Sequence, residues 1–293
     1  MQGRPQYTCQ IHHGHGRKMS DFVQQNGIGT EFTSSESWVI LSPIELSIKR
    51  KIEAVGVPLK DWDINIYRGV LTGYNDAFII STDKRDEILA NCQSEEERAR
   101  TEELIRPILR GRDIKRYGYD WAGLWLINTH NGIKGILERI HIEDYPAVKA
   151  HLDQYWDKIS TRADKGDTPY NLRNCAYLDD FNSPKIIFQE IVQESQFCYD
   201  ESGKFICNDT CRIISGENLS FLLHILNSKL FFYAVKTFYG GGGLGDGVRM
   251  KHTFFLEFSC IKAEGISDIT DIDKWIYKKY RLSPEEISVI ENL

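Results

Sequence analysis

The chain has 293 residues, of which 41% are hydrophobic and 27% charged, a composition that allows a sizeable core and excludes a disordered polypeptide. Its net charge of −6 argues against a general, salt-driven binder of nucleic acids, although one local basic face remains possible. Because there is neither a run of about 18 apolar residues nor an apolar leader, we expect a cytoplasmic protein without a membrane segment.

The seven cysteines are scattered and odd in number, and the nearest group, Cys198, Cys207 and Cys211, matches no zinc spacing. We expect reduced cysteines in a strand-rich region there. The cluster of residues 9–15 contains one cysteine and three histidines, but it lies among glycine and glutamine at a chain end. This setting favours a mobile segment over a metal site.

Residues 1–35 are polar and weakly patterned, which predicts a poorly ordered lead-in. A helix is predicted for residues 42–55, because Ser42 can cap it and Glu45 completes a capping box. The remaining predicted elements are strands at 64–67 and 77–80, a charged helix at 83–106, a strand at 121–128, a helix at 144–158, a strand at 185–191, a hairpin at 197–205, a strand at 211–214, a long apolar helix at 219–238 and helices within 268–293. The sequence therefore predicts a mixed α/β fold with a strand-rich body at 36–218 and a helical segment at 219–293, interrupted by the glycine run 240–247.

Two features that an amino-directed DNA methyltransferase requires are missing. Its substrate loop has the form Asn/Asp-Pro-Pro-Tyr/Phe and holds a flipped base, whereas Asp167-Thr168-Pro169-Tyr170 lacks the first proline. The glycines at 240–243 follow a predicted helix, not the strand that a cofactor loop needs. We therefore assign no catalytic residue and expect no cofactor within this chain.

Four segments carry a more specific pattern. They are residues 66–78 (IYRGVLTGYNDAF), residues 105–117 (IRPILRGRDIKRY), residues 184–191 (PKIIFQEI) followed by 226–230 (LNSKL), and residues 272–286 (IDKWIYKKYRLSPEE). In this order they resemble the C-terminal specificity domain of TaqI-like and type IIG restriction–modification enzymes, over about residues 36–293. The Leu-Asn-Ser stretch followed by glycines is also similar to the target-recognition domains of type I specificity subunits.

The resemblance implies a target-recognition domain that binds double-stranded DNA and positions a methyltransferase domain or subunit, in cis or in trans. S-adenosylmethionine and Mg²⁺ would then belong to catalytic domains that this chain lacks. We expect the chain to be either a fragment of a larger enzyme or a stand-alone specificity protein. The target sequence cannot be predicted, because base choice depends on side-chain placement.

The first group of candidate DNA contacts lies in a segment with a local charge of +4. It comprises Arg106, Arg110, Arg112, Lys115 and Arg116, set against the single acid Asp113. Arginine suits both phosphate oxygens and guanine edges. The alternative is that several of these side chains pair with Asp113 or with the acids of residues 95–103.

The second group lies outside that segment and comprises Arg68, Thr72, Tyr74 and Asn75 in a turn, Lys185 and Gln189 on a strand, and Arg249 and Lys251 after the glycine run. Glycines 69 and 73 would let this turn approach DNA closely, and Gln189 suits an adenine edge. The turn could instead be purely conformational, and the glycine run a hinge.

Two other functions stay open at this stage. One is a stand-alone metal-dependent nuclease, for which Lys185, Glu190 and Asp200 are available without a clear nuclease spacing. The other is a remnant that binds a protein partner and no DNA.

Overall fold

The structure is a computed structural model that describes residues 41–239, 247–262 and 271–293. The predicted lead-in at 1–35, the cysteine and histidine cluster at 9–15 and residues 240–246 of the glycine run lie outside the described residues. None of the helices in the described ranges combines the length and the apolar composition needed to cross a bilayer.

The described chain contains both helices and strands, distributed along its whole length. The helices are α1 (Pro43–Val55), α2 (Asn75–Phe78), α3 (Thr82–Ala90), α4 (Glu95–Leu104), α5 (Pro146–Asp153), α6 (Trp156–Ile159), α7 (Leu219–Leu226), α8 (Lys229–Thr237), α9 (His252–Phe255), α10 (Ile272–Lys279) and α11 (Pro284–Glu291). The strands are β1 (Val57–Pro58), β2 (Ile64–Arg68), β3 (Ile79–Ser81), β4 (Ile105–Leu109), β5 (Ile114–Lys115), β6 (Gly118–Tyr119), β7 (Leu124–Ile127), β8 (Lys185–Gln189), β9 (Ile191–Val192), β10 (Phe197–Asp200), β11 (Ile206–Cys207), β12 (Cys211–Gly216), β13 (Val248–Arg249) and β14 (Ser259–Cys260). The predicted mixed α/β fold is confirmed.

A central antiparallel sheet separates two hydrophobic cores. Its strand order is β10-β8-β12-β2. Successive side chains of a strand point to opposite faces, so Ile186 and Phe188 enter one core while Ile187 enters the other. Because both faces of this sheet are covered, the strand ends are the parts of it that remain available to a ligand.

The two cores differ in what covers the sheet. The helices α7, α8 and α10 fill the first, together with α1 from the other end of the chain. The second holds a mixed sheet of order β11-β4-β7-β3 and the helix α5. The helices after residue 218 share a core with strands that precede it. The predicted division into 36–218 and 219–293 stays a prediction.

Capping boxes form at the starts of two helices, and the one at α1 lies where the sequence predicts it. The helix α1 begins with a capping box in which the backbone amide of Ser42 donates to Glu45 and the amide of Glu45 donates to the Ser42 hydroxyl. The helix α11 has the same arrangement between Ser283 and Glu286.

The structure differs from two of the predicted elements. The predicted strand at 77–80 is wrong in part, because residues 75–78 are helical, and β3 pairs with β7 in the second sheet. Residues 197–205 do not fold back as the predicted hairpin. The strand β10 pairs with β8, and the chain after its turn continues into β11, which pairs in parallel with β4.

The predicted long helix at 219–238 is two helices. The helix is interrupted at residues 227 and 228. The Ser228 hydroxyl accepts from the backbone amide of Phe231 and caps the start of α8. Serine competes for backbone hydrogen bonds in this way at helix starts. The Leu-Asn-Ser stretch is therefore a helix-to-helix connection.

Candidate nucleic-acid interface

Several of the predicted site residues lie together at one end of the central sheet. In the register of the sheet, Cys211 lies opposite Gln189, and Arg212 lies opposite both Phe188 and Arg68. Strands lie about 4.8 Å apart, so the four strand ends span about 14 Å, comparable with the width of a DNA major groove, about 12 Å. We call this region the strand-end surface, and it comprises residues 68–70, 110–117, 189–192, 208–212 and 248–252.

The segment 110–117 joins this surface through Gly111. Its backbone amide donates to the Thr210 hydroxyl at 3.0 Å, and a side chain at this position would meet Gln189 at 3.0 Å. Residues 248–252 join from the other side, because β13 pairs with β9 and the Met250 amide donates to the Glu190 carbonyl at 2.6 Å. The structure thus brings Arg68, Gln189 and the loop containing Arg112 to one place.

The lack of a side chain at Gly69 allows another segment of the protein backbone, and not DNA, to pack closely against it. A Cβ atom on Gly69 would lie 1.8 Å from the carbonyl oxygen of Asn208. At Gly73, with φ of +69°, a Cβ would lie 2.8 Å from the Asp164 carbonyl. The expectation that these glycines admit DNA is corrected, because other protein segments occupy the space they leave.

Three arginines of the surface share two acids. The Arg68 guanidinium lies 3.5 Å from the Asp209 carboxylate, and Glu190 accepts from Arg212 at 2.9 Å and from Arg249 at 3.0 Å. Like charges directly opposite each other on antiparallel strands are destabilising, yet Arg68 and Arg212 occupy such positions. Within the described part of the chain, the buried Nε and Nη1 atoms of Arg212 have no hydrogen-bond partner.

Sequence reasoning missed Arg212. It lies in the apolar strand β12, where it is the one cation among cysteine, isoleucine, serine and glycine. A lone cation in a strand that otherwise fits a core was the available signal, and the register that sets it beside Arg68 and Glu190 was not visible in the sequence.

Arg110 and Arg112 have different environments. Arg110 donates to Asp113 through Nε at 3.0 Å and through Nη2 at 2.7 Å, and Asp113 is almost fully buried. Burial raises the pKa of Asp113, but its hydrogen bonds with Arg110 outweigh that effect and hold the pKa below its ordinary value. Arg112 is exposed and forms no ion pair with another described residue. Arg110 is therefore bound to Asp113 within the protein, whereas the side chain of Arg112 is accessible to a ligand.

The basic residues 115 and 116 lie on a hairpin at the edge of β10. The Nε and Nη2 atoms of Arg116 donate to the Asn227 carbonyl at 3.2 and 2.8 Å. The Lys115 ammonium donates to the Arg112 carbonyl at 3.0 Å and lies 3.9 Å from Asp120. Both side chains are exposed. None of the predicted pairs between 106–117 and the acids of residues 95–103 is present among the described residues, and Arg110 with Asp113 is the predicted pair that forms.

Asn227 fixes this hairpin to the sheet. Its side chain accepts from the Phe197 amide at 3.1 Å and donates to the Phe197 carbonyl at 2.9 Å. The Phe197 carbonyl also accepts from the Tyr117 amide at 2.9 Å. The asparagine of the Leu-Asn-Ser motif is buried, and its role is to position neighbouring backbone.

Lys185 and Arg106 lie away from the strand-end surface. Lys185 is fully buried at the opposite end of β8, with its ammonium 2.7 Å from Asp200. The Arg106 guanidinium donates to the Asn182 side chain and to the carbonyls of residues 203 and 204, and burial lowers its pKa. The prediction that Lys185 contacts DNA is corrected, because its charge is satisfied inside the protein, and Arg106 is committed to holding a loop.

The turn containing Thr72, Tyr74 and Asn75 is held from inside. Thr72 is buried and its hydroxyl bonds to Asn75, whereas Asn75 itself is exposed. The buried Arg162 donates to the carbonyls of Thr72 and Asn171, and burial lowers the pKa of Arg162 to about 10. Thr72 thus has a conformational role, and Asn75 keeps a free surface next to it.

The residues considered for a nuclease do not meet. Lys185 and Asp200 pair with each other, while Glu190 lies five residues along from Lys185, about 16 Å away. Glu190 is itself bound to two arginines. Within residues 41–239, 247–262 and 271–293, no three His, Cys, Asp or Glu side chains are grouped so that they could hold a metal ion.

Comparison with known proteins finds a matching family model and several similar solved structures. Residues 106–242 match the family model of the TaqI-like C-terminal specificity domain. The structure is similar to a type IIL restriction–modification enzyme, MmeI, solved in complex with DNA, with a TM-score of 0.49 and 13% identity over 69% of this chain and 25% of that one. It is also similar to the type IIG restriction endonuclease BpuSI, with a TM-score of 0.48 and 14% identity over 85% of this chain and 28% of that one. The chain thus spans about a quarter of the length of each.

Proposed function

We propose, from the premise that residues 106–242 are a TaqI-like C-terminal specificity domain, that this chain recognises a short duplex DNA sequence through its strand-end surface. The recognition would direct a restriction–modification methyltransferase, and a nuclease where one is present, to its target. Those activities, with S-adenosylmethionine and Mg²⁺, would be supplied by another domain or subunit.

One observation carries the proposal, namely the charge of the strand-end surface. Its ranges hold eight lysines and arginines against three acids, a net charge of +5, on a chain whose total is −6. The rest of the molecule therefore carries −11. Such an asymmetry turns a basic face toward a polyanion while the remaining surface repels it, which orients the protein on DNA.

The surface also contains the two kinds of group that DNA recognition needs. Exposed cations such as Arg112 suit phosphate oxygens, whose contacts set register. Gln189 suits a base edge, and its amide now donates to the Ile191 carbonyl at 2.6 Å, which leaves its carbonyl oxygen as an acceptor. Gln189 is half-buried at the centre of the row of strand ends.

The test is selection from random duplexes by the purified chain, followed by titration of the selected sequence at several salt concentrations. We expect one short sequence to be enriched. Arg112→Gln should weaken binding to all duplexes and lower the slope of log affinity against log salt by about 0.9, the value for one lost phosphate contact. Arg98→Gln, an exposed arginine outside the surface, is the matched control and should bind as the wild type does.

Three outcomes would contradict the proposal. Enrichment of no sequence would favour a remnant that binds a protein partner. Cleavage of DNA by the purified chain with Mg²⁺ would favour the nuclease. Equal losses for Arg112→Gln and Arg98→Gln would remove the strand-end surface as the interface.

A further inference from the structure

The hairpin at the edge of β10 has an unusual turn. The strands β5 and β6 are joined by two residues only, Arg116 and Tyr117. The Tyr117 amide donates to the Phe197 carbonyl at 2.9 Å, so the turn is fixed to the central sheet at the strand-end surface. The turn is therefore a rigid part of that surface.

Tyr117 occupies a backbone conformation that favours glycine. Its φ is +63°, in the left-handed region, where a bulky side chain is strained. A glycine follows immediately, at position 118, where a Cβ atom would meet nothing within 4 Å. The chain thus carries the aromatic residue at the position where glycine would be easier, and glycine at the position where a side chain would fit.

The Tyr117 ring is held in place yet open to solvent. It packs at 5.4 Å from the His224 ring, and the Arg116 guanidinium lies 5.3 Å from its centre. The residue nevertheless remains 41% exposed. An aromatic ring that is held in a fixed orientation and is partly exposed loses little conformational entropy when it binds.

We infer that Tyr117 is a further DNA-contacting residue, whose ring packs against sugar and base edges of the duplex beside the phosphates that Arg112 contacts. This inference rests on the proposed function. Contacts of this kind release no counterions, so they supply affinity that does not depend on salt. Tyr117 would thus add a nonelectrostatic component to an interface that otherwise depends on charge.

The test compares Tyr117→Gly and Tyr117→Asn with the wild type, in duplex titrations at several salt concentrations and in thermal denaturation. Both replacements tolerate a positive φ, so the fold should melt within a few degrees of the wild type. We expect affinity to fall about tenfold at every salt concentration with an unchanged salt slope. Tyr117→Phe, which keeps the ring, should bind within about twofold of the wild type.

The matched control is Arg281→Gly, because Arg281 also has a positive φ, of +54°, and lies outside the strand-end surface. It should leave DNA affinity unchanged. If the wild type binds a selected duplex and both Tyr117 variants bind it equally well, the inference is wrong while the proposed function stands. If the wild type binds no duplex, both are wrong. A lower salt slope in the Tyr117 variants would also overturn it, since the loss would then be electrostatic.

Discussion

Replacement of Lys185 by methionine tests whether the charge of Lys185 stabilises the fold or contacts DNA. The Lys185 ammonium lies 2.7 Å from the Asp200 carboxylate and donates to the Phe181 carbonyl at 2.8 Å, with Lys185 fully buried and Asp200 nearly so. In the β8–β10 register the two residues are directly opposite each other. Lys185→Met removes the charge and nearly preserves the side-chain volume, so packing changes little.

The size of the destabilisation depends on the hydrogen bonds that the Asp200 carboxylate keeps after Lys185 is replaced. Breaking a buried ion pair on one side costs about 3–5 kcal/mol, because the other charge is left unpaired. Asp200 still accepts from the hydroxyl of Ser202 and from the amides of Lys204 and Phe205. We therefore expect the lower end, about 3 kcal/mol, which corresponds to a fall in Tm of about 6–12 °C for a domain of this size.

The assay is thermal denaturation of the wild type, Lys185→Met and the double variant Lys185→Met with Asp200→Asn. The double variant should recover part of the loss, because no unpaired carboxylate remains. A single variant that melts within about 1 °C of the wild type would refute the structural role. So would a decrease of about 0.9 in its DNA salt slope, since that is the effect of a lost phosphate contact.

The pH dependence of the same pair provides a second readout. Burial raises the pKa of Asp200, but hydrogen bonds from Lys185 and from the following turn outweigh it, and the pKa lies below its ordinary value. A carboxyl with a lowered folded pKa stabilises the protein above its unfolded pKa and loses that contribution as the pH falls through the folded one. The difference in stability between wild type and Lys185→Met should therefore be full above about pH 4 and shrink in more acidic solution.

Three further variants test the geometry of the strand-end surface. Asn227→Ala should destabilise the fold by about 1–3 kcal/mol in thermal denaturation, because it leaves the buried Phe197 amide without its partner, while the Phe197 carbonyl keeps the Tyr117 amide. Glu190→Gln should free Arg212 and Arg249 and raise DNA affinity at low salt, with a slope steeper by up to about 1.8 in titrations if each arginine gains one phosphate contact. Gly69→Ala should lower the free energy of unfolding by about 2 kcal/mol, because its Cβ would overlap a neighbouring carbonyl.

Matched controls separate these effects from general sensitivity. Gly118→Ala adds a Cβ atom in open space and should melt as the wild type does. Glu194→Gln removes an exposed acid from the same region that is bound to no arginine in the described chain, and DNA affinity should stay closer to the wild type than in Glu190→Gln. If Asn227→Ala keeps full stability, the asparagine does not hold the sheet edge. If Glu190→Gln leaves the affinity unchanged, its two arginines do not face DNA.

Local chemistry was predictable from the sequence, and pairing over a distance was not. The helix start at Ser42 depends on residues within one turn, so its residue types are sufficient to place it. The partner of residues 79–81 lies more than forty residues away, in β7, and no local pattern specifies it. The predicted hairpin at 197–205 failed for this reason, because its two strands pair in different sheets.

The candidate site residues also depended on pairing between segments that are distant in the sequence. Arg68, Gln189 and Arg249 were selected as separate local features, and the sheet register brings them together. Lys185 was selected for its charge, but the opposing Asp200, fifteen residues away, neutralises it inside the core. Arg212 needed the register as well, since its position beside Arg68 has no local signature.

The enclosure of the central sheet between two cores has a consequence for redesign. Side chains that determine packing, such as Ile187 and Phe188, lie in the two cores, whereas Arg68 and Gln189 lie at the ends of strands of the central sheet. Substitutions at the strand ends can therefore be combined without reopening either core. A library that varies these ends together should yield many folded proteins with altered binding preferences, and the scaffold itself would tolerate repeated changes of preference.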